Sequence, residues 1–347
     1  MAGTRDRPTA DPVPTVVDTD TASDDAQALL YALQTDRLDV RAVTVVAGNV
    51  DFDAQLNNAA HTLSLVDADV PVAAGARRPL AKSWEHAAGV HGETGLGDVD
   101  HDTTASPTGE YGPETILRLS REHAGELAVV AIGPATNLAE AWRRDPSVAE
   151  RLAGVWLMGG AIHHAGNVTP AAEYNFWADP DAARLVCAEL PVTLVDWGVT
   201  LRDGALSAAT LDRIAAADTE LADFFTAATA TARERSRTTP GPERVAQPDA
   251  LAAAVAAHPE LVAETATGAV RVDDREGLTR GHSVFDSAPD APEANDASDA
   301  AGENDTHTPT RVVRAVDPTA FRERLGGLLL ARDPDRRRPV APETTEE

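Results

Sequence analysis

Short apolar runs alternate with amphipathic stretches through the first two hundred residues. Thr15, Val16 and Val17 follow Pro14 as a buried β-branched run that turns polar at Asp18. Residues 26–33 then repeat alanine and leucine at helical spacing. A second strand is expected over 40–49, ending at Gly48-Asn49, then a helix over 53–66 and a short strand over 70–74. The rhythm resumes with a helix over 113–123, a strand over 127–134, a helix opening at 135–138 and a strand over 154–160. A helix over 179–189 and a strand over 192–195 follow. Alternation of this kind predicts an α/β fold, a mainly parallel, doubly wound, Rossmann-like sheet with helices on both faces. Helical additions follow, with two or three helices to about Ser236 and an alanine-rich helix from Asp249 to Ala257, stopped by Pro259. Antiparallel strands are expected over 267–272 and 279–285, a last strand over 311–316 and a last helix over 319–331.

Two stretches interrupt the pattern. Residues 75–112 hold Trp84, His86 and His91-Gly92-Glu93-Thr94-Gly95, and a loop of that length is usually functional or mobile. Residues 163–175 form a second polar loop. We expect one domain over 14–332, preceded by a disordered lead, 1–13. Residues 286–308 are rich in Asp, Ala, Pro and Asn and read as a disordered acidic insert; 333–347 read as a disordered tail.

Charge narrows the classes of partner. Of 347 residues, 56 are Asp or Glu and 30 are Lys or Arg, a formal charge of −26, which repels nucleic acid and anionic membranes. Lys82 is the one lysine. Acid excess with lysine depletion is the signature expected of a halophilic protein, whose self-repulsion is screened by salt. Cys187, the one cysteine, lies among apolar neighbours and reads as a core thiol with no disulfide partner. No apolar run is long enough to span a membrane, and the lead does not resemble a secretory signal. A cytoplasmic enzyme is the expectation.

The chemistry gathers at the first strand end. Asp18, Asp20, Asp24 and Asp25 are four aspartates within eight residues, between a strand and a helix. Ser23 reads as the N-cap, with Asp24 and Asp25 in the first turn, where the helix dipole favours them by roughly 0.3–1 kcal/mol each. That is too little to account for the crowding. Side chains alternate along a strand, so Asp18 and Asp20 cannot both face the cleft, and Asp20 is nearer the loop. Asp20, Asp24 and Asp25 then converge, and converging carboxylates share protons or hold a cation. A site of carboxylates and carbonyls suits calcium better than magnesium. A solvated acidic cap is the plainer alternative. Ligands in open α/β sheets, however, bind outside the carboxyl ends of the strands.

This strand–DTD–helix start resembles that of the inosine–uridine-preferring nucleoside hydrolases. Val45-Val46-Ala47-Gly48-Asn49, His91-Gly92-Glu93-Thr94-Gly95 and Ile132-Gly133-Pro134-Ala135-Thr136-Asn137-Leu138 resemble that family's motifs in order and spacing. So do Leu157-Met158-Gly159-Gly160, Gly166-Asn167, Ala172-Glu173-Tyr174-Asn175 and Pro248-Asp249-Ala250-Leu251-Ala252. The resemblance spans residues 14 to about 258. It implies hydrolysis of the N-glycosidic bond of a ribonucleoside to ribose and free base, by a calcium-bound water that Asp20 activates as general base. It implies Ca2+ held by Asp20, Asp25, Asp249 and the Ile132 carbonyl. It places Asp24 at the ribose 2′-hydroxyl, Asn49, Asn167, Glu173 and Asn175 around the sugar, and Met158 packed beside it. It also implies a homodimer or homotetramer acting on a small-molecule riboside.

Plainer roles stand beside these. Asn49 and Asn137 could cap turns, and Asn137 is kept in that class. Asn175 could be an ordinary loop residue, an aspartate in the position of Asp249 is more often an N-cap, and Met158 is most simply core. The departure from the family is at the leaving group. Several members have a histidine immediately before the aspartate that matches Asp249, and here that residue is Pro248, which cannot donate a proton. His91 is the first candidate acid, ahead of Tyr31, Trp84, His86 and Arg233 to Arg237. Ribosides with better leaving groups, such as nicotinamide riboside, need no acid. Two rival readings remain. One is a non-catalytic calcium-dependent riboside-binding protein. The other is an aspartyl phosphohydrolase, which Ala22 in the fifth position of its motif and the absence of a well-placed lysine argue against.

Overall fold

A computed structural model describes residues 11–287 and 308–331. Residues 1–10 of the expected lead, 288–307 of the expected insert over 286–308, and all of the expected tail over 333–347 lie outside the described residues; Asp286, assigned to the insert, instead ends a strand, Ser283–Asp286. Val13, assigned to the lead, instead opens the first strand and pairs with Leu38.

Eleven strands are described: β1 (Val13–Thr19), β2 (Leu38–Val45), β3 (Val72–Ala74), β4 (Leu127–Ala131), β5 (Leu152–Met158), β6 (Val192–Val195), β7 (Ala205–Ser207), β8 (Arg244–Ala246), β9 (Val262–Val272), β10 (Ser283–Asp286) and β11 (Thr310–Val316). Nine of them form one sheet in the order β10-β9-β11-β6-β5-β4-β1-β2-β3, and β7 and β8 pair separately. Every pairing from β3 through to β11 is parallel; β9 and β10 add antiparallel strands at one edge. The α/β, mainly parallel expectation therefore holds.

Alternation along the strands explains the double winding. Val17, Val43, Val45 and Val130 face one apolar cluster, while Val16, Ala42, Val129 and Ala131 face another. Both faces need cover, and helices supply it. The Ser23–Gln34, Phe52–Ser64, Pro248–Ala257 and Pro318–Leu330 helices pack on the first face. The Gly112–Glu122, Thr136–Arg144 and Pro180–Glu189 helices pack on the second. All ten residues of Pro248–Ala257 are buried, so its alanines let a whole helix sit inside, against Ser23–Gln34.

The chain runs from β1 outward to β2 and β3, then returns to the other side of β1 as β4. That reversal opens a crevice at the carboxyl ends of β1 and β4, the place where such sheets bind ligands. Asp20 follows β1, and Ile132 follows β4. Between β6 and β8 the chain forms four helices where two or three were expected: Trp197–Asp203, Ala208–Ala215, Glu220–Ala228 and Ala230–Thr238. β7 and polar breaks separate them. Among the described residues no helix is long and apolar enough to cross a membrane.

Candidate active site

A cavity of about 690 Å³ opens at the crevice. Of the residues named from the sequence, Asp24, Asn49, His91, Ile132, Met158, Asn167, Glu173, Asn175 and Asp249 line it. Asp20 and Asp25 lie fully buried under its floor. A nucleoside-sized ligand suits a cavity of this volume.

The floor is built around Asp20 and Asp25. Asp25 accepts hydrogen bonds from the Thr19 hydroxyl (2.7 Å), the Ala22 N–H (3.0 Å), the Asp20 N–H (3.3 Å) and the Asn49 amide (3.2 Å). Its bond to Ala22 does the capping work assigned to Ser23. The helix starts at Ser23, Ala22 holds the N-cap position, and the Ser23 hydroxyl bonds His91 Nδ1 at 2.8 Å instead. Asp20 Oδ2 accepts the Asn49 N–H at 2.9 Å, while its Oδ1 is buried and has no partner among the described residues. Two glycines make room for this carboxylate. A Cβ on Gly48 would stand 1.9 Å from Asp20 Oδ2, and one on Gly133 would stand 2.8 Å from Oδ1. Neither glycine carries a local signal of this role, since both sit in motifs where a turn alone would account for them.

Asp24, Asp25 and Asp249 bring carboxylate oxygens within 4.8 Å of one another. Burial, and after it mutual repulsion, pushes Asp249 and Asp20 well above the carboxylate range. Burial raises Asp24 and Asp25 to about 6. Asp24 Oδ1 is a second buried oxygen with no hydrogen bond; His91 Nδ1 lies 3.5 Å from it. Carboxylates crowded this closely, with oxygens left without donors, are chemically incomplete. A hard cation would complete them, and Asp24, Asp25 and Asp249 form an all-oxygen donor set that fits such an ion.

A second wall carries Asn167, Glu173 and Asn175. Glu173 caps the Tyr174–Ala178 helix, accepting the N–H groups of Asn175 (2.9 Å) and Phe176 (3.3 Å), and also takes the Gly160 N–H (2.9 Å). Burial raises its pKa to about 7. The Asn175 amide donates to the carbonyls of Ile132 (2.9 Å) and Met158 (3.2 Å), so it is no ordinary loop residue. Asn167 accepts the Tyr174 N–H at 2.8 Å.

Several candidates for the leaving group fall away. The Tyr31 hydroxyl is buried beside His258, outside the cavity lining. Trp84 donates to the Gly48 carbonyl at 2.9 Å and stacks on His86. Arg233 is held by Asp212 and Glu243, and Arg237 by Glu243. His86, His91 and Arg235 line the cavity, as does Pro248, which begins the buried helix. Asn137 is not a turn cap. Its amide donates to Asp18 Oδ1 at 2.7 Å and accepts the Ala76 N–H at 2.8 Å, tying three chain segments beneath the site.

Comparison with known proteins agrees with this geometry. The sequence matches the family described as inosine-uridine preferring nucleoside hydrolase over residues 15–323. It is 38% identical over 222 residues to the pyrimidine-specific ribonucleoside hydrolase RihA of Enterobacter sp. (strain 638), covering 61% of this chain and 71% of that protein. Identity to RihA of Salmonella schwarzengrund (strain CVM19633) is 36% over 223 residues, with the same coverage. Among solved structures, the plant nucleoside hydrolase PpNRh1 superposes with a TM-score of 0.85 at 29% identity, covering 92% of this chain and 100% of that one. The purine-preferring ribonucleoside hydrolase from Gardnerella vaginalis gives 0.79 at 29% identity, covering 91% and 99%. The chain belongs to the inosine-uridine preferring nucleoside hydrolase family and is a ribonucleoside hydrolase.

Proposed function

We propose that this chain cleaves the N-glycosidic bond of ribonucleosides at a calcium site formed by Asp20, Asp25, Asp249 and the Ile132 carbonyl, with Asp20 as general base. One observation carries the reading. Buried carboxylates converge at the carboxyl ends of β1 and β4, and oxygens of Asp20 and Asp24 lack donors there. Calcium bound at this point would supply the positive charge that keeps the carboxylates ionised, acidifies water and orients the ribose diol.

The remaining work falls to the chain. The Asn49 N–H and the walls at Gly48 and Gly133 hold the Asp20 carboxylate in one position, so its free Oδ1 can take a proton from an attacking water. Asp24 reaches the cavity from the helix start and accepts the ribose 2′-hydroxyl. Glu173 and Asn167 receive the 5′-hydroxyl, and Asn175 lies nearer the diol. Negative charge on Asp24 and Glu173 also stabilises the oxocarbenium-like ribose. His91 serves the departing base. Burial lowers its pKa to about 4, so the ring is neutral at pH 7. Its Nδ1 shares a hydrogen bond of 2.8 Å with the Ser23 hydroxyl; in the tautomer where Ser23 donates, Nε2 would carry the hydrogen and offer it to the base. Pro248 adds no donor. Pyrimidine ribosides come first as substrates because the RihA relatives are pyrimidine-specific.

The test is ribose release from uridine, cytidine, inosine, adenosine and nicotinamide riboside, in high salt with calcium, by the wild type and Asp20→Asn. Release from at least one riboside, reduced by about 10²–10⁴-fold in the variant, is expected. Wild-type turnover by Asp20→Asn would remove Asp20 from the mechanism. Binding of ribosides without any turnover would favour the non-catalytic reading.

A further inference from the structure

The sugar-side wall depends on a distant hairpin. Asn167, Glu173 and Asn175 lie on the segment 159–178, whose one regular element is the five-residue helix Tyr174–Ala178. A helix that short leaves its last carbonyls without intrahelical donors. Arg280, in the turn between β9 and β10, supplies them. Its Nε donates to the Trp177 carbonyl at 2.9 Å and an Nη to the Ala178 carbonyl at 3.3 Å, and its guanidinium lies 4.4 Å from the centre of the Trp177 ring. Arg280 is only 6% exposed. Glu276 also pairs with it, Nη to Oε2 at 3.7 Å, but the two shorter contacts of this buried arginine go to backbone carbonyls.

The next three residues extend the grip. Gly281 packs backbone to backbone, and a Cβ there would stand 2.6 Å from Trp177 Cα. His282 Nδ1 donates to the Ala171 carbonyl at 2.9 Å, and Ser283 Oγ accepts the Ala161 N–H at 2.9 Å. The turn is braced by Asp273, which accepts from the Thr279 hydroxyl and from Arg275, and by the ion pair of Asp274 with Arg184. Residues 280–283, themselves outside the cavity lining, thus hold the wall at positions 161, 171, 177 and 178, of which Trp177 lines the cavity.

We propose that Arg280 is a positioning residue for the sugar. By holding the carboxyl end of the Tyr174–Ala178 helix, it fixes where Glu173, the cap at the other end, meets the ribose 5′-hydroxyl. This rests on the assignment of Asn167 and Glu173 to that hydroxyl. Asp24 belongs to a different helix and bonds nothing in the hairpin, so recognition of the 2′-hydroxyl is independent of the clasp.

The test is kcat/KM for uridine, 5′-deoxyuridine and 2′-deoxyuridine in the wild type, Arg280→Ala, Arg280→Lys and His282→Ala. The wild type is expected to prefer uridine over 5′-deoxyuridine by about tenfold or more, the worth of one well-made hydrogen bond. Arg280→Ala compresses that ratio several-fold, mostly through KM, and leaves the uridine to 2′-deoxyuridine ratio within about twofold. Arg280→Lys restores part of the preference. His282→Ala moves it in the same direction by less, and carries the test if Arg280→Ala does not fold. Equal loss on all three substrates in Arg280→Ala, with the 5′ preference intact, shows a merely structural arginine and overturns the proposal. A wild type that does not distinguish uridine from 5′-deoxyuridine overturns the assignment of Glu173 and the proposal with it.

Discussion

Asn137 sits in a motif shared with the family yet never reaches the cavity. It holds Asp18, whose Oδ1 also takes the Thr44 hydroxyl at 2.5 Å. Burial raises Asp18 to about 7, and its bond from Thr44 knits β1 to β2. Asn137→Ala leaves the Ala76 N–H and Asp18 Oδ1 short of partners. We expect a loss of about 2–3 kcal/mol in urea unfolding, with turnover by the folded fraction largely kept. Gly48→Ala makes the opposite split. Its Cβ would displace Asp20, so kcat is expected to fall by about 100-fold or more while the fold persists, which kinetics and circular dichroism together would show. From sequence, the aspartates were legible because no ordinary cap explains so many. Asn137 and Ser23 were not, since a side chain that bonds across 60 or more residues looks like a local cap when read locally.

At the scale of elements, the strands at the sheet centre were readable because burial on both faces demands near-continuous apolar runs, such as Leu127 to Ala131. The region 197–238 was harder, for its helices are short and only partly buried. The clasp at 280–283 carried no local signal at all; it exists only once β9 and β10 return to the edge of the sheet. The buried Pro248–Ala257 helix brings a pH dependence of its own. His258 ends it, 7% exposed, against Tyr31 and beside Glu260 and Arg324. Burial lowers its pKa below 6.5. The unfolded chain therefore binds the proton more readily than the folded one, so this contribution is complete above pH 6.5 and is lost as pH falls below it. Replacing His258 with Gln should flatten the fall in thermal stability between about pH 6.5 and 5; an unchanged slope would clear His258 of the effect.

The whole molecule joins an acidic surface to an acidic site, and salt should act on the two differently. Raising ionic strength from about 0.15 M to about 1 M shortens the screening length from about 8 to about 3 Å. With a charge of −26, the melting temperature is expected to climb with potassium chloride; a flat or falling curve would count against a halophilic origin for the composition. The buried carboxylates lie beyond the reach of such screening and need a cation placed among them. The most direct measurement is therefore ribose release from uridine by protein stripped with EDTA, assayed in high salt before and after adding calcium. Activity is expected to be at least about 100-fold lower when stripped, restored by calcium and not by potassium chloride, with no restoration in Asp249→Asn. Full turnover in excess EDTA, or calcium rescue of Asp249→Asn to the wild-type rate, would contradict the calcium mechanism.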